Sequence, residues 1–217
     1  MRAAVLVILM GAAIAALNGC GSPRPIMYYG IQIPAAPAPA SYTYPIDLVV
    51  GRISGPDLLE TPPIVYKTGR NVIGTYQYHR WTDAPVEMVQ TKLVRTLRTS
   101  GVFQSVSAQG GASSGELMVR GRLYDFEEVD GDAVAGLVSM EFELFNRKTA
   151  KVVWSHFYTH TDPVESKQVV AVVEALDRNL DRGLKEVVAG LRTYFESNPP
   201  PRTNPPSTNG PEEARAK

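Results

Sequence analysis

The sequence predicts an α+β domain, with a mostly antiparallel sheet and two amphipathic helices packed on one of its faces. Three observations predict it. Runs of β-branched and aromatic residues recur between residues 46 and 160, punctuated by turn residues. Two segments, one opening at Pro85 and one reaching Phe195, repeat apolar residues at helical spacing. The part rich in core formers, residues 42–196, has the length of one ordinary domain.

The elements follow in order. Residues 46–53 read as a strand rich in Ile, Leu and Val. Residues 64–67 and 72–79 read as short strands joined by a turn at Thr68-Gly69-Arg70-Asn71. Trp81-Thr82-Asp83-Ala84-Pro85 announces the first helix, with Asp83 placed to cap it. Pro85 suits the first turn, where its missing N–H costs nothing. Val86, Val89, Leu93 and Leu97 share one face, and Gly101 stops the helix. Residues 102–108 resume as a strand, and a glycine-rich loop follows at 110–115.

Residues 116–129 and 133–146 alternate apolar and polar side chains around Asp130-Gly131, which marks a hairpin. Residues 152–160 form the last strand. Asp162-Pro163-Val164-Glu165 resembles a capping box and predicts the start of the second helix. Val169, Val173, Leu176, Leu180, Leu184, Val187, Leu191 and Phe195 then give that helix one apolar stripe. Gly183 and Gly190 mark close packing of the helix on the sheet.

The N-terminus carries a different signal. Arg2 precedes an apolar run of about fifteen residues, which suits a signal-peptide core and is short for a membrane span. The run closes on Leu17-Asn18-Gly19-Cys20, which resembles the lipobox of bacterial lipoproteins, with Asn18 departing from the usual second position. In such lipoproteins the cysteine is lipidated and becomes the first mature residue. Cys20 is the single cysteine of 217 residues, so no internal disulfide accounts for it. Several acyl chains on one residue give stable anchoring. Gly21 stands where an inner-membrane retention signal has Asp, which favours the outer membrane.

Four segments result. Residues 1–19 are the signal peptide, and 20–41 hold the lipidated N-terminus, a candidate edge strand and an Ala/Pro linker. Residues 42–196 are the domain, and 197–217 form a Pro-rich tail too poor in apolar residues to fold. Tyr28-Tyr29-Gly30-Ile31-Gln32-Ile33 is β-prone and reads as an edge strand of the domain or a strand added to a partner. If it belongs to the domain, the free tether spans at most about 25 Å and the domain hugs its membrane.

Chemistry is sparse. The net charge is +0, and no basic stripe points to a nucleic-acid partner. His156 and His160 on one strand lie about 13 Å apart, too far for one metal ion. His79 has no evident partner. Glu127, Glu128, Asp130 and Asp132 cluster at a hairpin tip and read as a solvated turn, with weak calcium binding the minor alternative. Ser113 and Ser114 lack the frame of a nucleophile elbow. Neither a phosphate loop nor a dinucleotide fingerprint occurs. The reading therefore has no catalytic residue, no cofactor and no metal. Tyr76, Tyr78 and Trp81 read as a core corner at the helix entry, with a binding surface as the alternative.

The lipobox, Tyr28-Tyr29-x-Ile31, and Arg80-Trp81-Thr82-Asp83-Ala84-Pro85 leading into Val86-x-x-Val89 together resemble the ABC-type transport auxiliary lipoproteins, the PqiC-like family. The likeness of layout runs from Tyr28 to about Phe195. It implies a sheet with two helices and a non-enzymatic accessory of a lipid-transport machine between two membranes. It implies an MCE-domain protein and an ABC permease/ATPase as partners, with a homo-oligomer as a further expectation. Tyr28, Tyr29, Arg80 and Trp81 are the candidate partner-binding residues. The Ala/Pro insert at 34–40 and the proline-rich tail depart from the family pattern and bear on partner geometry. The rival reading is an outer-membrane assembly or cell-wall-synthase-activating lipoprotein. A hydrolase is the remaining one, and it would need a pocket uniting acids and histidines that the sequence scatters.

Overall fold

The computed structural model describes residues 24–33, 41–69, 71–111, 115–131, 133–164 and 166–200. Within them the order is β1 Met27–Tyr29, β2 Tyr44–Ser54, β3 Pro63–Thr68, β4 Val72–Trp81, α1 Pro85–Thr99, β5 Phe103–Ala108, β6 Leu117–Asp130, β7 Val134–Asn146, β8 Lys151–Pro163 and α2 Val169–Ser197. A short 3-10 turn, Asp57–Leu59, joins β2 to β3 and buries Leu59.

Strand β6 is the spine of the sheet. Along one side β7 pairs with it antiparallel, from Leu117 opposite Asn146 to Asp130 opposite Val134, and β8 adds antiparallel to β7. The other side takes two parallel partners in succession. Strand β2 covers Leu117 to Arg122, and β3 covers Glu127 to Asp130. Strand β5 adds parallel to β2, β4 adds antiparallel to β3, and β1 adds parallel to β4.

The α+β class holds, but the sheet is mixed rather than mostly antiparallel in its connections, since four of the seven ladders among the described residues are parallel. The longest ladders are the antiparallel ones that hairpins produce locally. The parallel ones need long crossovers, which side-chain alternation does not encode.

The predicted β6–β7 hairpin forms, with one interruption. Leu123 pairs with Met140 and Asp125 with Ser139, so Tyr124 is an extra residue on β6. Such a bulge flips the parity of everything after it. That is why Val119 and Leu123 face the core before it and Phe126 after it.

Both helices lie on one face of the sheet. Helix α1 packs on β2 and β5, whereas α2 packs on β7, β8 and α1. The predicted stripe of α1, Val86, Val89, Leu93 and Leu97, is buried. Pro85 begins the helix as expected, but the N-cap is Ala84, in extended conformation, and no side chain caps it. Gly101 has φ +66°, a backbone state that favours glycine, and it ends the helix.

Helix α2 is longer than α1, about 43 Å at a rise of 1.5 Å per residue. It starts at Val169, not at Asp162. Asp162 instead pairs with Gly136 as part of β8, and the Val164 N–H donates to the Val134 carbonyl. The sheet therefore claims the segment that reads as a capping box, and Glu165 lies outside the described residues. Gly183 and Gly190 do mark close packing. A Cβ on Gly183 would sit 2.8 Å from the Tyr158 ring, and one on Gly190 would sit 2.7 Å from Trp154.

Polar groups also sit inside this helix-to-sheet layer. Asn179 of α2 is fully buried. Its Nδ2 donates to the carbonyls of Gly136 at 3.1 Å and His160 at 2.6 Å. Lys92 of α1 is 2% exposed and lies 2.6 Å from Asp177 and 3.8 Å from Asp181 of α2. This ion pair ties α1 to α2.

Candidate functional site

The candidate site gathers where the N-terminal arm joins the domain. Cys20 lies outside the described residues. Strand β1 runs parallel to the end of β4, with Met27 opposite His79, Tyr28 opposite Arg80 and Tyr29 opposite Trp81. The Thr82 N–H donates to the Tyr29 carbonyl at 2.8 Å and closes the pairing. The start of the β-prone run, Tyr28 and Tyr29, is thus an edge strand of the domain itself, whereas residues 30–33 leave the sheet, and the outer edge of β1 is unpaired among the described residues.

The four candidate partner-binding residues come together here but differ in exposure. Tyr28 is 62% exposed. Tyr29 is half-buried, with its hydroxyl 2.8 Å from His79 Nδ1. Trp81 is fully buried and packs on Phe126, with ring centroids 5.2 Å apart. Arg80 is half-buried, and no acceptor among the described residues reaches its Nε. Tyr28 is therefore the most exposed of the four, and Trp81 belongs to the core.

A chain of polar aromatics leads inward from the edge. His79 meets Tyr76 edge-on at 5.5 Å, and Tyr76 meets Tyr66 at 5.1 Å. The Tyr76 hydroxyl donates to Glu128 at 2.8 Å. Burial pushes the Tyr76 hydroxyl well above the ordinary tyrosine range, and the Glu128 bond pushes the same way. Burial also raises the Glu128 carboxyl, while the bond from Tyr76 opposes that rise. Sequence reading saw the aromatics but missed their link to Glu128. Tyr76 and Glu128 lie on strands that are not neighbours, and β3 between them sets the spacing.

The acidic cluster corrects the sequence reading. Glu127 is 5% exposed and Glu128 7%, so this end of the hairpin is covered rather than wet. The cause is β3, which pairs parallel with Glu127 to Asp130. Burial raises the Glu127 carboxyl, Asp125 adds to the rise, and Lys67, 3.9 Å away, opposes it. Asp132 lies outside the described residues.

Elsewhere the titratable groups are spread out. His156 stacks on Trp154 and lies 3.4 Å from Glu186, while His160 lies 3.1 Å from Asp162, which also holds Arg182 at 3.2 Å. Among the described residues no group of three or more His, Cys, Asp or Glu is placed to hold a metal ion. No described helix is long and apolar enough to cross a membrane. Ser113 and Ser114 are outside the described residues.

Two of the surface clefts are lined by charged groups. One, about 490 Å³, lies on the helix-free face between Arg52, Arg120, Arg122, Glu141 and Glu143. Arg120 is committed there to Glu143 at 2.7 Å and covers the Phe145 ring at 4.2 Å. The other, about 600 Å³, lies between the N-terminal arm and α2, where the Gln32 N–H donates to Asp177 at 3.2 Å. That bond fastens the arm a second time, just after β1.

A forked mixed sheet backed by two helices, with the N-terminal arm as its edge strand, defines a single α+β module. The comparisons with known proteins narrow the class. The chain belongs to the family described as the ABC-type transport auxiliary lipoprotein component, whose model matches residues 29–188. No functionally curated protein matches the sequence. The fold is similar to the crystal structure of protein XCC0632 from Xanthomonas campestris, at 19% identity and a TM-score of 0.71, covering 79% of this chain and 98% of that one. It is also similar to an uncharacterized protein, at 15% identity and a TM-score of 0.63, covering 77% of this chain and 99% of that one. These two likenesses are of fold.

Proposed function

We propose that this chain is a non-enzymatic accessory subunit of an ABC/MCE-type intermembrane lipid transport system, anchored by a lipid on Cys20 to the periplasmic face of the outer membrane. The family match over residues 29–188 carries this reading. The geometry supports it. The candidate residues build an edge strand with one exposed aromatic, suited to main-chain pairing with another protein. At the two clefts, Arg120 is paired with Glu143 and Lys92 with Asp177. Its partners in this reading are an MCE-domain protein and an ABC permease/ATPase pair. Strand β8, with Val152 45% and Phe157 57% exposed, supplies a longer edge on which copies of the chain could pair.

The test is affinity purification of the tagged, membrane-extracted protein, wild type against Cys20→Ala, with mass spectrometry of what co-purifies. The expected result is an MCE-domain protein with an ATPase–permease pair, and loss of membrane retention in the variant. Recovery of only an outer-membrane β-barrel or a cell-wall synthase would overturn it in favour of the assembly-factor reading.

A further inference from the structure

We propose that the domain stands on its bilayer with the β3–β4 turn downward, and that Val72 and Ile73 enter the lipid at the foot of the anchor. The proposal rests on the lipidation of Cys20 put forward above and adds which end of the domain meets the membrane.

Tether length carries the argument. Strands β1 and β4 run parallel, with Met27 opposite His79. Continued in the direction of β1, the chain before Met27 heads toward the same end of the sheet as the chain before His79. Cys20 precedes Met27 by seven residues, and Val72 precedes His79 by seven. Val72 thus lies about 23 Å toward that end, at about 3.3 Å per strand residue. A fully extended tether from Met27 reaches at most about 25 Å, and any bend shortens it. While β1 stays paired, the anchor cannot carry the bilayer clear of the turn beside Val72.

The surface at that end fits lipid. Val72 is 61% exposed and Ile73 51%. Adjacent strand residues point to opposite faces, so each face of the hairpin end carries one exposed apolar side chain, Val72 beside Thr68 and Ile73 beside Lys67. Thr68 pairs with Asp130 and Ala135 with Pro163, so the β6–β7 turn and the end of β8 lie at the same end. Helix α2 begins shortly after, and its second residue, Val170, is 49% exposed. Three exposed β-branched side chains thus lie toward the end that the tether holds down, alongside Lys67 and Asp130. The far end is occupied by Phe195 packed on Tyr44 and Phe103, so α2 leads the chain away from the bilayer.

The experiment uses the full acylated chain, in which lipid consumes the Cys20 thiol and a second cysteine is the one free for labelling. Val72→Cys, Ile73→Cys and Lys148→Cys are each labelled with a polarity-sensitive fluorophore. They are then reconstituted into vesicles of phosphatidylethanolamine and phosphatidylglycerol. The expected result is blue-shifted emission at 72 and 73, quenched by lipids spin-labelled on the acyl chain, with water-like emission at 148, in the exposed β7–β8 turn at the opposite end. Labels at 72 and 73 that match 148, in protein whose N-terminal peptide mass shows acylation, overturn this proposal and leave the anchor standing. An unmodified Cys20 overturns both.

Discussion

The Tyr158 hydroxyl donates to Asn179 Oδ1 at 2.6 Å, inside the layer between β8 and α2. Both residues are buried, and Asn179 also binds two sheet carbonyls. Asn179→Ala leaves a buried hydroxyl and two carbonyls without this partner. It is expected to lower unfolding stability by about 1–3 kcal/mol, measured by urea denaturation. Tyr158→Phe, which strands only one acceptor, is expected to cost less. Equal losses would mean that the asparagine's bonds to the sheet carry nothing.

The buried pair of Lys92 and Asp177 makes an opposite kind of prediction. Asp177→Ala leaves Lys92 with only Asp181, 3.8 Å away and more exposed, and is expected to cost about 3 kcal/mol. The double variant Lys92→Met with Asp177→Leu removes both charges and is expected to recover most of that loss. Because the Gln32 N–H also binds Asp177, amide exchange at residues 31–33 should quicken in both variants.

Glu127 sets a pH dependence. Burial raises its carboxyl above 4.5, so the folded protein holds a proton that the unfolded chain releases first. The stability tied to this group is full below pH 4.5 and is lost as pH climbs through the raised folded value. Glu128 shifts in the same direction. Glu127→Gln keeps the shape without the charge. It is expected to melt above wild type near neutral pH, with the difference closing by about pH 4. A variant that melts lower at neutral pH would show that Lys67 matters more than burial.

Tyr28 and Trp81 separate docking from folding. Trp81→Ala opens a cavity beside Phe126 and is expected to cost about 3–5 kcal/mol. Tyr28→Ala, at an exposed position, should leave the melting temperature within error. Under the proposed function, Tyr28→Ala is the variant expected to weaken recovery of the partner protein in the affinity purification. Unchanged recovery would remove Tyr28 from the interface.

What the sequence determined by itself is what short-range periodicity can carry. Alternation specified the faces of β7 and of β6 up to its bulge at Tyr124, and helical spacing specified the stripes of α1 and α2, because burial on one face requires one repeat. The run at Tyr28-Tyr29 was legible as a strand for the same reason. Tertiary structure decided which strands meet. Backbone hydrogen bonds are alike for every residue, so nothing local told β3 to pair with the end of β6 or β1 to pair with β4. From that pairing follow the burial of Glu127 and Glu128, the contact of Tyr29 with His79, and the extension of β8 through Asp162. Asn179 and Lys92 were illegible for a related reason. A polar residue within a helical stripe reads as solvated until a carbonyl or carboxylate on another element is brought against it.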